Sequence, residues 1–257
     1  MKLNYSPESI VKMISSNLQN NTAGTTNESG PTYKCRYCDK LFRKETTLAS
    51  HLCEQKRRAQ QQNETGVQFG YRAYNQFYQS TQSSTRSKSY EDFAASPYYS
   101  AFIKYGRYCV AIRAINFTSF TTWLLKNNKK LDYWCRDSLY EQWMLDYLKK
   151  EMPQDAMERA IKEMTEYAEA HPELKNGFND YFRYANVNRI CHHIASGRIS
   201  PWVIFNCDSG VACLERMDEE QIAMILPYID PDTWQQKLKD YAEESQWCKD
   251  ILKAAGL

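Results

Sequence analysis

The chain has 257 residues, 25% of them charged and 42% hydrophobic, the balance of a globular protein of one or two domains, which excludes a disordered tail or a fibrous repeat. No apolar run approaches a membrane span and the start, Met1-Lys2-Leu3-Asn4-Tyr5-Ser6-Pro7, holds no apolar signal region, so no membrane partner and a cytoplasmic location are expected. The net charge of +2 hides an asymmetry: residues 31–90 carry 11 Lys and Arg against 4 Asp and Glu, and residues 151–257 carry 11 against 19, so a polyanion is expected to dock towards the basic front half unless both faces serve only solubility.

In chain order, Ser6-Pro7-Glu8 predicts a helix start, and Ile10, Val11, Ile14 and Leu18 continue at helical spacing, giving an N-terminal helix over 1–20. Residues 21–31 are rich in Thr, Asn and Gly and read as a linker. Residues 32–54 hold a compact Cys/His module. Over 55–80 a polar, helix-forming stretch with Lys56-Arg57-Arg58 passes into an aromatic stripe, Val67, Tyr71, Tyr74 and Tyr78. Ser-rich residues 81–89 predict a hinge.

From residue 90 to 257 helical signals dominate. Phe102, Tyr105, Cys109, Ile112, Ile115 and Phe120 predict a buried helix with a break near Asn116; Leu139, Trp143, Leu145 and Leu148 predict another, opened by Asp137 or Ser138. Residues 155–170 are amphipathic, further helices are expected over 178–195, 201–215 and 218–228, and Asp230-Pro231-Asp232 starts a last one carrying Trp234, Leu238, Tyr241, Trp247 and Leu252. Trp202 to Phe205 reads as a short strand or, behind Ser200-Pro201, as a capped helix. Of the nine cysteines, three fall in the Cys/His module and six are scattered among apolar residues, which predicts a reducing compartment and no disulfide framework.

The module reads Tyr33-Lys34-Cys35-Arg36-Tyr37-Cys38-Asp39-Lys40-Leu41-Phe42, then Leu48-Ala49-Ser50-His51-Leu52-Cys53. Two Cys three apart on a hairpin present two thiolates to one ion, and Zn²⁺ takes four N or S ligands tetrahedrally, so a following helix must supply the rest. On a continuous helix His51 and Cys53, two apart, would point about 200° from each other. Either the helix ends at His51 and Cys53 folds back, or the fourth ligand comes from a distant thiol, from Glu54 or from water. The residue four beyond His51 is Gln55, a poor ligand.

Tyr33, Cys35, Cys38, Phe42, Leu48 and His51 together resemble the C2H2-type zinc finger, with a short His-x-Cys second pair as the departure. The resemblance implies a small ββα fold, one structural Zn²⁺ held by Cys35, Cys38, His51 and Cys53, and Phe42 and Leu48 beneath the metal. The expected architecture is therefore mainly α, a small ββα zinc finger near the N-terminus joined to a multi-helix body. The resemblance also places Lys44, Thr47 and Ser50 at base-contacting positions; one finger spans about 3 bp. Lys34, Arg36, Lys40, Arg43, Lys56, Arg57 and Arg58 are candidate phosphate contacts, and Tyr37, Tyr71 and Tyr74 candidate stacking platforms. The competing reading makes the basic triad a solvated helix face and the tyrosines core.

No catalytic residues are expected. Cys191-His192-His193 places adjacent side chains about 100° apart on a helix, which suits neither a shared ion nor a Cys–His pair. Asp208-Ser209-Gly210 reads as a turn, and no phosphate-binding glycine loop or H-E-x-x-H is present. Lys56-Arg57-Arg58, Gly66-Val67-Gln68-Phe69-Gly70-Tyr71 and Ile199-Ser200-Pro201-Trp202 are similar to uncharacterised or assembly-type proteins of large T4-like tailed phages, which implies virus-encoded assembly or transcription-related work in a host cytoplasm. Two functions follow as expectations: a non-enzymatic zinc-binding protein whose basic front half contacts nucleic acid or nucleoprotein, or an assembly factor whose finger is purely structural and whose acidic helical back half binds a protein partner.

Overall fold

The computed structural model of the protein describes residues 32–82 and 86–257; the expected N-terminal helix over 1–20 and linker over 21–31 lie outside the described residues. The chain divides into two compact units at the Gln60/Gln61 boundary. It is mainly α, with a ββα-like arrangement in the first unit, as the sequence predicts.

In the first unit β1 (Tyr33–Lys34) pairs antiparallel with β2 (Leu41–Phe42), Tyr33 facing Phe42 and Lys34 facing Leu41. Helices α1 (Glu45–Ser50) and α2 (Glu54–Gln60) follow and bury no residue fully. Cys35, 3% exposed, is the one fully buried apolar residue described in this unit. The described residues of this unit, 32–60, are too few to hide enough apolar surface to fold on hydrophobic burial alone.

The second unit begins with α3 (Thr65–Gln82), α4 (Tyr90–Ala95), α5 (Tyr99–Ala111) and α6 (Phe117–Lys126). Helices α3 and α5 meet backbone to backbone because their facing positions are glycine. A Cβ on Gly106 would lie 2.0 Å from the Gly66 carbonyl oxygen and 2.5 Å from the Gly70 nitrogen, and one on Gly70 would lie 2.7 Å from the Phe102 carbonyl oxygen. Gly66 and Gly70 are one helical turn apart and share a face. Ser89 caps α4 in a reciprocal box with Asp92, and Asn116 caps α6 through the Ser119 amide, so the long apolar stretch breaks where Asn116 predicts. Around this pair lies an aromatic core containing Tyr74, Phe93, Phe102, Tyr105, Phe120, Trp134 and Trp143. Trp134, fully buried, sits edge-on to Phe102 and Tyr105 and donates its indole N–H to the Lys129 carbonyl at 2.9 Å.

The rest of the unit holds α7 (Asp137–Lys150), α8 (Pro153–Glu169), α9 (Tyr181–Tyr184), α10 (Val187–Ala195), α11 (Pro201–Ile204), α12 (Asp208–Leu214), α13 (Glu219–Ile229), α14 (Pro231–Asp240) and α15 (Ala242–Ala254), with short 3₁₀ turns at Leu131–Tyr133 and Gly177–Asp180. A second core gathers Met157, Met164, Tyr181, Ile190, Trp202, Ile225 and Trp234. Trp202 to Ile204 is helical, with Phe205 as the C-cap and Ser200 accepting the Trp202 amide.

Three predicted helices are each divided. The stretch 178–195 breaks at Ala185, which is extended, and Asn186 then caps α10 through the Asn188 amide. The stretch 201–215 breaks over 205–207, where Cys207 is extended. The last breaks at Tyr241. Apolar periodicity runs through all three breaks, because core packing needs the same spacing on either side of a sharp corner. Asp208-Ser209-Gly210 is the first turn of α12 rather than a loop turn.

Two buried charges knit the body together. Glu151, its side chain fully buried, is gripped by both terminal nitrogens of Arg159, whose Nε also donates to the Gly197 carbonyl at 2.8 Å. Lys237 donates from Nζ to the Leu148, Lys149 and Glu151 carbonyls at 3.2, 2.8 and 3.3 Å, and lies over the Trp202 and Trp234 rings. It closes the open C-terminal carbonyls of α7 with a cation, the sign the helix end favours.

Candidate metal centre

The hairpin turn is set by Asp39, whose positive φ of 58° a short polar residue tolerates. The Asp39 amide donates to the Cys35 carbonyl and the Cys35 amide to the Lys40 carbonyl, each at 2.9 Å. This folds Cys35 and Cys38 onto one side of the turn. Helix α1 then ends at His51, whose φ of −68° and ψ of 122° are extended. The conflict posed by a His and a Cys two residues apart is thus resolved by ending the helix: the chain turns at His51 and resumes as α2 after Cys53. The Cys53 carbonyl accepts the Arg57 amide at 3.0 Å, and its Sγ accepts the Lys56 amide at 3.4 Å.

Cys35, Cys38, His51 and Cys53 converge, their ligand atoms all within 4.8 Å of one another. Cys35 Sγ lies 4.0 Å from Cys53 Sγ, and Cys38 Sγ lies 3.3 Å from His51 Nε2. A tetrahedron with Zn–S near 2.3 Å and Zn–N near 2.0 Å has edges of about 3.5–3.8 Å, so the four donors are spaced for one ion. The sulfur separation is twice a disulfide bond, and all nine cysteines are free. Three thiols and an imidazole form a soft donor set suited to zinc. Bound there, zinc would supply the folding free energy that this unit's slight core does not. Glu54, the carboxylate considered for the fourth position, is turned away onto Arg57 and Arg58; the Arg58 hydrogen bond, with the charge of Arg57, holds its carboxyl below the usual range.

The thiols are electrostatically unequal. The Tyr37 amide, against a smaller opposing effect of burial and with help from the Cys38 amide, lowers the Cys35 thiol. At Cys38 the Lys40 amide acts downward, but burial and the neighbouring Cys35 and Cys53 sulfurs together outweigh it and the thiol is raised. A divalent ion bound there would favour the thiolate form of both.

The surrounding side chains orient the ligands. Phe42 packs on the His51 ring at 4.7 Å between centroids, and Leu48, on α1, is half-buried. Lys56 reaches back from α2, its Nζ donating to the His51 carbonyl at 3.0 Å and the Ala49 carbonyl at 3.4 Å. It clasps the end of α1 to the start of α2 across the His-x-Cys corner. Sequence reasoning read Lys56 only as a charge; that role depends on a chain reversal no local pattern discloses.

The candidate nucleic-acid residues divide. Lys44, Thr47 and Ser50 are all exposed. Arg36, Lys40, Arg43 and Lys44 are exposed and pair with no carboxylate among the described residues. Lys34 pairs with Asp39 at 2.8 Å, Lys56 is engaged as above, and Arg57 and Arg58 both bind Glu54. Tyr37 is half-buried beneath the Arg36 guanidinium. Tyr74, 4% exposed, lies in the aromatic core against Phe93 and Phe102, and Tyr71 spends its hydroxyl on the Lys88 carbonyl at 2.6 Å. Tyr74 is therefore core rather than a stacking platform. At Cys191-His192-His193, His192 is exposed and His193 is buried with Nδ1 2.7 Å from the Tyr181 hydroxyl; among the described residues the only cluster of metal-ligating groups is the one at Cys35.

No helix among the described residues is long and apolar enough to cross a membrane. Together the hairpin, the short helix and the Cys₃His cluster form a zinc-finger-like unit, in a mainly α chain, whose four donors could hold a metal ion. Comparison with protein-family models, with curated proteins and with solved structures found no match to this chain.

Proposed function

We propose that this is a non-enzymatic binding protein whose finger, clamped by one structural zinc, contacts a nucleic-acid backbone. The observation that carries the reading is the exposed cationic surface of Arg36, Lys40, Arg43 and Lys44, with Thr47 and Ser50 uncovered beside it in the sequence. Cations without carboxylate partners are available to phosphates, whereas Lys56, Arg57 and Arg58 already hold intramolecular partners. One finger reads too few base pairs for sequence specificity, so the contact is chiefly electrostatic and salt-dependent.

The test is a fluorescence titration of a labelled 20-mer duplex and a single strand at rising salt. Changing Arg43 and Lys44 to Glu should abolish binding, while changing Arg57 and Arg58 to Gln should weaken it little. Absence of binding at low salt refutes the reading.

A second reading, an assembly factor with a purely structural finger, has its own observation. Helix α13 bears no charge from Gln221 to Ile229, buries Ile225 and Ile229, and leaves Ala223, Met224, Leu226 and Pro227 exposed. A helix apolar on its outer side as well as its inner one suits a protein partner. Retention of partner binding in a chain lacking zinc would favour it.

A further inference from the structure

Within the helical body a cleft of about 470 Å³ opens between α5, α8 and the turn after α10. Its walls carry Arg113, Arg159, Lys162 and Arg198 against Glu163 and Glu166, with Phe69 and Ile115 as apolar lining. Arg159 is neutralised by Glu151. Arg113 pairs with both Glu163, at 3.2 Å, and Glu166. Arg198 differs from both. Its side chain is only 15% exposed and its nearest carboxylate, Glu163, lies 3.6 Å away, beyond hydrogen-bonding distance. Among the described residues this guanidinium has no hydrogen-bond partner, its Nε being buried without one. Buried donors left unpaired are destabilising and rare in native proteins.

Arg113 carries a second mark. It has φ of 51° where α5 ends, with the Arg113 amide on the Val110 carbonyl and the Ala114 amide on the Cys109 carbonyl. Glycine is the usual residue at that position. An arginine there is strained, and its side chain is directed to the carboxylates of this cleft.

We infer that the cleft binds a small organic carboxylate, received on Arg198 and Lys162 with its apolar part against Phe69 and Ile115. The charge balance selects the class. With Arg159 matched by Glu151, the lining holds three cations and two carboxylates, a surplus of one positive charge. One carboxylate cancels it, and a planar carboxylate fits a guanidinium fork. A phosphate monoester, carrying close to two charges, would overshoot and face Glu163 and Glu166. A volume of this size lies within the usual range for small-molecule sites.

The test is calorimetric titration of the zinc-loaded full chain with benzoate, and separately with phenyl phosphate. Benzoate is expected to bind saturably and more tightly than phenyl phosphate. Arg198→Gln should weaken it by about tenfold or more, the loss of a charge-assisted contact. Lys162→Gln, at an exposed position where folding is not at risk, should weaken it by a few fold with an unchanged thermal midpoint. No saturable benzoate binding, tighter phenyl phosphate binding, or benzoate binding unaltered in Lys162→Gln overturns the assignment.

Discussion

Replacing Cys53 by alanine tests the metal centre at its most unusual ligand. Structural zinc in small fingers binds with roughly 10–16 kcal/mol. Shared over the four donors gathered here, that is about 3 kcal/mol per ligand, or a weakening of roughly 100-fold or more. Water filling the fourth position recovers part of this, but Cys53→Ala also removes the sulfur that accepts the Lys56 amide, which works the other way. The assay is competition for zinc against a chromophoric chelator, with native mass spectrometry for stoichiometry. Wild type should hold one zinc per chain. All six tryptophans lie at or beyond residue 123, in the helical unit, so the variant's tryptophan emission and helical circular dichroism should stay close to wild type while zinc affinity falls. Equal affinity in the two proteins would show that Cys53 is not a ligand, and the argument from the ended helix would fail with it.

Four further outcomes follow from particular contacts. Lys56→Met removes the clasp on the Ala49 and His51 carbonyls and should weaken zinc by about 10-fold or more, read by the same competition, whereas Arg57→Gln should not. Gly106→Ala forces a methyl to within 2.0 Å of the Gly66 carbonyl oxygen and should destabilise the body by about 3 kcal/mol, measured by urea unfolding followed by tryptophan fluorescence. Arg159→Met strands the fully buried Glu151 carboxylate and should destabilise it by about 3–5 kcal/mol in the same assay. Burial, aided by nearby arginines, lowers His193 from 6.5 to about 3; the unfolded chain therefore takes up a proton that the fold refuses as pH drops below 6.5, and stability falls with acidification by at most about 1.4 kcal/mol per pH unit. That slope between pH 6.5 and 5 should flatten in His193→Gln, and an unchanged slope would show that His193 does not set it.

Much of this architecture is legible in residue order. The finger's ligands are short, chemically distinctive and close in sequence, so Cys35, Cys38 and His51 declare themselves. The helical class shows in apolar spacing, and Asn116 and Ser200 act as the caps their chemistry predicts. What stays hidden depends on contacts distant in the chain. Nothing local says that Lys237 will meet the carbonyls ending α7 some ninety residues earlier. Nor does it say that Tyr74 will turn inward against Phe93 and Phe102. Gly66-Val67-Gln68-Phe69-Gly70 is suggestive as a string of letters, but its physical meaning appears only when Gly106 arrives opposite. The corners at Ala185 and Cys207 are hidden for a related reason: each is itself buried, and the apolar period does not pause.

The same distinction decides how the basic segment should be weighed. By composition Lys56-Arg57-Arg58 is the densest positive charge near the finger and the natural polyanion site. Yet each of the three has an acceptor within its own unit: two carbonyls at the end of α1 for Lys56, and the Glu54 carboxylate for both arginines. A phosphate would have to displace those partners. Exposed ion pairs are weak, about 0–1 kcal/mol, so Arg57 and Arg58 yield readily, but Lys56 cannot leave without loosening the corner that holds His51 and Cys53 together. Charge reversal at Lys56 would therefore damage metal binding and any nucleic-acid binding at once, and that single variant cannot distinguish the two. Arg43 and Lys44 can, because both are exposed and, among the described residues, neither is one of the clustered donors nor part of the Lys56 clasp: zinc affinity should be unchanged in the double Glu variant, so that loss of nucleic acid there reports on the surface alone.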